Sequence, residues 1–175
     1  MKLNAKFTFL VLAAAAPSFA IAEDNNRLIA IQASCNEMQA KIIAGDPDAG
    51  LKFVFPKLVQ LVGGPEKMAA LLRKGAEQVQ QLGAKMTCSP PTQVSQVGTR
   101  ILALVPVLTT AAVVDKERGK GVFKQWSSAL AISENQGSSW YFLTVTDKGV
   151  PAELLSGGIG NISIPPKDRG TFVPD

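Results

Sequence analysis

Chemistry at neutral pH usually needs a histidine, a pair of opposed carboxylates or a reactive thiol, and this chain of 175 residues has no histidine and two cysteines, Cys35 and Cys88. Losing histidine removes the side chain that most often acts as a general base near pH 7, and with it the Ser/His/Asp and Cys/His arrangements. Two cysteines also fall short of the four Cys or His ligands of a structural zinc site, so no metal is expected. Gly157, Gly158 and Gly160 lack the strand, helix and third-glycine spacing of a dinucleotide loop, so no cofactor is expected either.

The carboxylates are placed where an acid/base enzyme would not want them. Residues 84–114, 121–133 and 138–146, which carry the β-type patterns, contain no Asp or Glu. Asp24, Glu37, Asp46 and Asp48 fall in a helix and loop near the start, and Glu134 in a turn. An enzyme built on this chain would have to take its acid from a loop or the first helix, with Asp46 or Asp48 as the candidates.

Met1 to Ala22 has the three parts of an export signal: Lys2 and Lys6, an uncharged apolar run from Phe7 to Ala16, and small residues at Ser18, Ala20 and Ala22. Cleavage after Ala20 or Ala22 fits. The apolar run is shorter than the roughly 20 residues a spanning helix needs, and no later run replaces it, so no membrane anchor is expected after cleavage. The expected location is the periplasm or the exterior. The formal charge of +4 includes Lys2 and Lys6, so the remainder is close to balanced. No basic block and no aromatics interleaved with basic residues appear, so nucleic acid is not an expected partner.

Leu28, Ile31, Cys35, Met38 and Ile42 recur at spacings of three and four, which predicts an amphipathic helix ending near Gly45, Asp46 and Pro47. A short extended piece at Leu51 to Phe55 follows. Gly64 and Pro65 open a second long helix, with Met68, Leu72, Val79 and Leu82 on its inner stripe and Gly83 as its stop. From residue 84 the period becomes two, which predicts antiparallel strands near 84–89, 92–97, 100–114, 121–133 and 138–146. Pro106 calls for a bulge or an edge position. Residues 165–175 read as a C-terminal surface tail after a single domain at 23–164.

Cys35 shares the first helix's apolar stripe, and Cys88 is in phase with Met86 while Lys85 and Thr87 point the other way. Both thiols should face inward. Export favours a disulfide between them over two separate buried thiols, and the chain-entropy model makes such a bond worth roughly 4 kcal/mol. Among the aromatics, Trp126, Trp140 and Phe142, with Leu130 and Ile132, are expected on one apolar face, as core packing or as the wall of a ligand cavity. That grouping depends on register, because a slip of one residue at 134–137 sends half of it to the other face. Ser133, Asn135, Gly137 and Trp140 also resemble the Asp-box of sialidases over eight residues, but once and with Asn135 at the Asp position; they read better as a β-hairpin turn.

Phe55, Pro56, Lys57, Leu58, Val59, Gly63, Gly64, Glu66, Lys67 and Met68 resemble the "YPK-V-x-x-x-GG-x-EKM" segment of exported NTF2-like (SnoaL-like) proteins, and Ser133, Gly137 and Trp140 their later "S-x-x-x-G-x-x-W" hairpin. The resemblance spans residues 24–146. It implies an α+β fold in which a cone-shaped, curved antiparallel sheet packs on the N-terminal helices. Isomerase-like members of that superfamily use an interior carboxylate and tyrosine or acid donors; this chain offers Tyr141 alone. The resulting expectation is a non-catalytic exported domain that binds a small apolar ligand, or a protein partner such as a second copy or an exported enzyme it inhibits through the outer sheet face.

Overall fold

The computed structural model describes residues 19–175 apart from 147, 148, 152 and 167, with side-chain burial from residue 25 onward. The expected export signal therefore lies outside the described residues up to residue 18. Among the described residues the fold is α+β: four helices followed by six antiparallel strands, α1 Phe19–Ile43, α2 Pro47–Leu51, α3 Pro56–Leu61, α4 Pro65–Gln81, β1 Lys85–Cys88, β2 Gln93–Val97, β3 Arg100–Asp115, β4 Gly119–Ser133, β5 Tyr141–Val145 and β6 Thr171–Pro174. Among the described residues, no helix is long and apolar enough to cross a membrane.

The two long helices follow the expected stripes. Ile31, Cys35 and Met38 of α1 are buried. Gly64, at φ 105°, caps α4 with Pro65 in its first turn, where the missing N–H leaves no bond unmade. Leu82, expected on the inner stripe, is instead exposed, because α4 has ended at Gln81 and the chain turns away at Gly83. The extended piece expected at 51–55 is only a one-residue bridge from Val54 to Phe142, flanked by α2 and α3. Proline in the first turn starts both short helices, and the Asp46 carboxylate accepts the Ala49 N–H at 2.9 Å as the N-cap of α2.

The sheet is organised around one long hairpin. Residues 101–115 of β3 pair without a break against 133–119 of β4. On β3's other side, β2 pairs with residues 100–104 and β1 with 107–110. Pro106 sits at the junction, so it is neither a bulge nor on a full edge strand. Its carbonyl accepts the Ser89 N–H on that side, and an antiparallel residue points its N–H and C=O to the same neighbour. The missing donor thus faces a gap in the ladder. The outer side of β4 is divided likewise, between β5 at 128–132 and β6 at 121–124. β6 lies within the stretch that reads from sequence as a surface tail.

Each sheet face has its own core. Helices cover Ile101, Ala103, Val105, Val107, Ala129 and Ala131 on one face. On the other, Leu102, Leu104, Leu130 and Ile132 pack with Phe55, Leu143 and three residues of the irregular C-terminal segment, Leu154, Leu155 and Ile162. Gln93 holds that segment by taking the Ser163 N–H at 2.7 Å and donating to its carbonyl at 2.8 Å.

Candidate functional site

Helix-facing residues of the central hairpin are small, Ala103, Ala129 and Ala131 among valines, whereas their neighbours on the other face are leucine and isoleucine. Of these residues, Val107 and Ala129 border open space under the helices. A hollow of about 440 Å³ lies there, lined by Met38 and Ile42 of α1, Met68, Leu72, Gly75, Ala76 and Val79 of α4, and Met86, Val107, Ala129 and Phe142 of the sheet. Leu72 and Val79 are only half-buried despite lying on the apolar stripe, because they face this space. The polar groups on its lining are amides and hydroxyls, Gln39, Gln78, Ser127, Ser128 and Thr144, and among the described residues no charged side chain lines it. Such a surface holds apolar matter and offers a few hydrogen bonds for orientation.

Gly75 stands in the interior of α4, where glycine costs about 1 kcal/mol relative to alanine. Close packing does not demand it, since a Cβ built there meets nothing within 4 Å. What glycine does at this position is keep the hollow wider.

Cys35 and Cys88 form a disulfide, with Cα atoms 6.1 Å apart, that ties α1 to β1 at one end of this layer. The helix adds two amide contacts the sequence reading did not foresee. Asn36 accepts the Cys88 N–H at 2.9 Å, and Gln32 donates to the Cys88 carbonyl at 3.0 Å, satisfying the backbone of β1 where its outer side has no strand neighbour. The signal was available: Gln32 and Asn36 are four apart and flank Cys35, so they share the helix surface that meets Cys88.

The five residues expected to form one aromatic wall are divided between the two faces. Leu130 and Ile132 pack in the coil-covered core, and Trp140 and Phe142 in the helix-covered one. Of the five, Phe142 alone lines the hollow. Trp126 is 46% exposed and borders a second cavity of about 580 Å³ on the coil-covered face, together with Leu104, Pro106, Ile164, Pro165 and Pro166. The turn at 133–140 decides the split by setting Ile132 opposite Tyr141, which aligns Phe142 with Ala131. Within it, buried Ser133 accepts the Gly137 N–H at 2.7 Å and donates to Asn135 at 2.9 Å, Asn135 takes the Ser139 N–H at 3.0 Å, and Gly137 adopts φ 94°. The Asp-box-like motif is therefore a turn, in which Gln136 also takes a positive φ of 58°.

Three carboxylates have structural work. Asp46 caps α2, and Asp46 and Asp48 line neither cavity. Asp115 is held at about 2, well below the ordinary carboxylate value, first by the Arg118 guanidinium at 3.1 Å and then by the N–H groups of Arg118 and Glu117. Asp168 is also lowered, chiefly because its carboxylate accepts the Trp126 N–H at 2.8 Å, with Gly170 N–H as a further donor. It fills the part of β4's outer side that neither β5 nor β6 covers. Among the described residues, no group of three or more His, Cys, Asp or Glu is placed to hold a metal ion.

The class defined by these features is an α+β domain with a disulfide-tied helical layer over an antiparallel sheet and an uncharged apolar hollow between the layers. A scan against protein-family models finds no match for the chain, and a comparison with curated proteins finds none either.

Proposed function

We propose that this chain is an exported, non-catalytic domain of the NTF2-like kind that binds a small apolar ligand in the hollow between α1, α4 and the sheet. The observation that carries the reading is the hollow itself: about 440 Å³ bordered by apolar side chains of α1, α4 and the sheet, with no charged side chain on its lining among the described residues. A lining without charge suits retention of an apolar molecule and supplies no carboxylate for proton transfer. Helices followed by antiparallel strands, with the long helices on one sheet face, fit the NTF2-like order, in which a curved sheet forms a cone around such a hollow. The disulfide fits an oxidising compartment outside the cytoplasm.

The test is binding of N-phenyl-1-naphthylamine, which fluoresces on entering apolar surroundings. Saturable enhancement is expected for the wild type, and Gly75→Leu, which adds side chain where nothing stands in the way of its Cβ, should weaken it on the order of tenfold, about 1.4 kcal/mol. Native mass spectrometry of the protein purified without probe should show a retained apolar molecule. A wild type that leaves the probe dark, or a Gly75→Leu variant that folds and binds as well as the wild type, would overturn the reading.

A further inference from the structure

The distal part of the β3–β4 hairpin continues past the helices, and its two faces are finished differently. On one face Gly121 is buried under the Phe172 ring of β6, and Arg118 stacks over that ring at 4.4 Å. The opposite face has no such cover. Directly paired residues of antiparallel strands share a face, so the register sets Lys85 of β1, Thr110 of β3 and Lys124 of β4 in one row. Trp126 lies in the next row toward the core, and Val114 pairs with Lys120 near the tip. Val173 of β6 joins the same face opposite Val122. The apolar groups here are exposed, Val114 at 77%, Trp126 at 46% and Val173 at 40%, with the three lysines also exposed around them.

The nearby carboxylates do little to neutralise Lys85 and Lys124. Asp115 is turned into the tip and paired with Arg118, and Asp168 is engaged by backbone N–H groups. Asp175, whose N–H reaches the Lys120 carbonyl, continues the β6 register opposite Lys120 on this face and offsets that lysine, so Lys85 and Lys124 carry most of its positive charge.

From this juxtaposition we propose that the face docks on an anionic phospholipid surface, with Lys85, Lys120 and Lys124 meeting headgroup phosphates and Trp126, Val114 and Val173 entering the boundary of the acyl region. A protein partner fits less well. Lysine is depleted at protein interfaces, and single apolar side chains spaced between cations do not make the contiguous patch such interfaces centre on. A membrane boundary accepts that mixture, because indole rings favour it and lysine stems bury their methylenes while the ammonium stays with the headgroups. The proposal is independent of what the hollow on the other face of the sheet holds.

The test compares phosphatidylcholine vesicles with and without phosphatidylglycerol. Co-sedimentation is expected with the anionic vesicles alone and should weaken as salt is raised. Each lysine should contribute on the order of fivefold in affinity, so Lys85→Glu with Lys124→Glu should abolish measurable binding while leaving the far-ultraviolet dichroism unchanged. Trp140 is buried, so a blue shift of tryptophan emission on binding reports Trp126, and Trp126→Ala should remove it. Gly75→Leu should leave vesicle binding intact. Failure to bind, equal binding to neutral vesicles, or indifference to the charge reversals would overturn the proposal, as would equally tight binding to soluble polyglutamate, which would assign the face to an acidic protein.

Discussion

The two faces of the sheet are made by alternate residues of the same strands, yet one is covered by helices over a hollow of about 440 Å³ and the other by coil that packs tightly on Leu130 and Ile132 and opens only toward Trp126. On the coil-covered face, Leu102, Leu104, Leu130 and Ile132 meet Leu154, Leu155 and Ile162 of a segment with no regular structure. On the helix-covered face, Ala103, Ala129 and Ala131 pack in one core with Ile31, Cys35 and Met38 of α1 and with Phe53, Trp140 and Phe142. An irregular segment can follow the contour of large side chains and close the space between them. A helix is a stiff cylinder about 10 Å across, and over Ala129 it bridges rather than fills. The hollow is thus the joint product of small residues below and stiff elements above, and the disulfide fastens one end of that cover to the sheet.

The strongest way to break this contrast is to cut the fastening. The Cys35–Cys88 bond closes a loop with a sequence separation of 53, and replacing both cysteines with alanine should cost about 4 kcal/mol. For a chain of this size that lowers the unfolding temperature on the order of 10 °C, measurable by calorimetry. An unchanged transition would show that the helical layer is held by packing alone.

Next in size is a paired test of filled against hollow within four residues of β4. Leu130→Ala removes a fully buried side chain from the filled face and should cost roughly 2–5 kcal/mol. Ala129→Leu, whose side chain borders the hollow, should cost under about 1 kcal/mol, because the added methyl groups have room to enter. Ala131→Leu serves as the control: it faces the helices but does not line the hollow, and overpacking there should cost about 1–3 kcal/mol. Urea unfolding of the three variants checks the order, and equal costs for Ala129→Leu and Ala131→Leu would deny the space.

The smallest expected effect is local and acid-dependent. Asp115 and Asp168 both have folded-state values below those of an unfolded carboxylate, so each stabilises the fold fully above about pH 4, and that contribution is lost as pH falls through the lowered value, about 2 for Asp115. Both side chains are half-buried at the surface, where solvent screening keeps the effect on global stability slight. Hydrogen exchange should find it instead. After correction for intrinsic rates, protection of the Arg118 amide should fall between about pH 4 and pH 2, and that of the Trp126 and Gly170 amides as pH drops through the lowered Asp168 value, while the Leu130 amide stays protected. Simultaneous loss at all four would mean that the distal hairpin and the core open as one unit.

Much of this architecture was legible in the chain. Both long helices and five strands follow from apolar spacings of 3.6 and 2, and Gly64 with Pro65 marks a helix start that the structure keeps. The cysteine pair could be read because each thiol lies in phase with an apolar stripe. The alternation of Ala and Leu or Ile across 102–104 and 129–132 already encoded a narrow face and a bulky one. The aromatic wall was misassembled because an eight-residue turn can close with either parity. Hydrogen bonds from Ser133 and Asn135 choose between the two, and no local period reports them.

By itself, then, the sequence determined where the two long helices and the first five strands form and how bulky each of their faces is, since both depend on neighbours within a turn of helix or two residues of strand. The tertiary structure alone decided what covers each face: helices over the alanines, and over the leucines a C-terminal segment that reads locally as loop and tail. The physical reason is range. Periodicity is a property of a few consecutive residues, whereas the Gln93 clamp on Ser163 and the pairing of Thr171–Pro174 with β4 join residues separated by 70 and by about 50 positions, and only the folded chain brings them together.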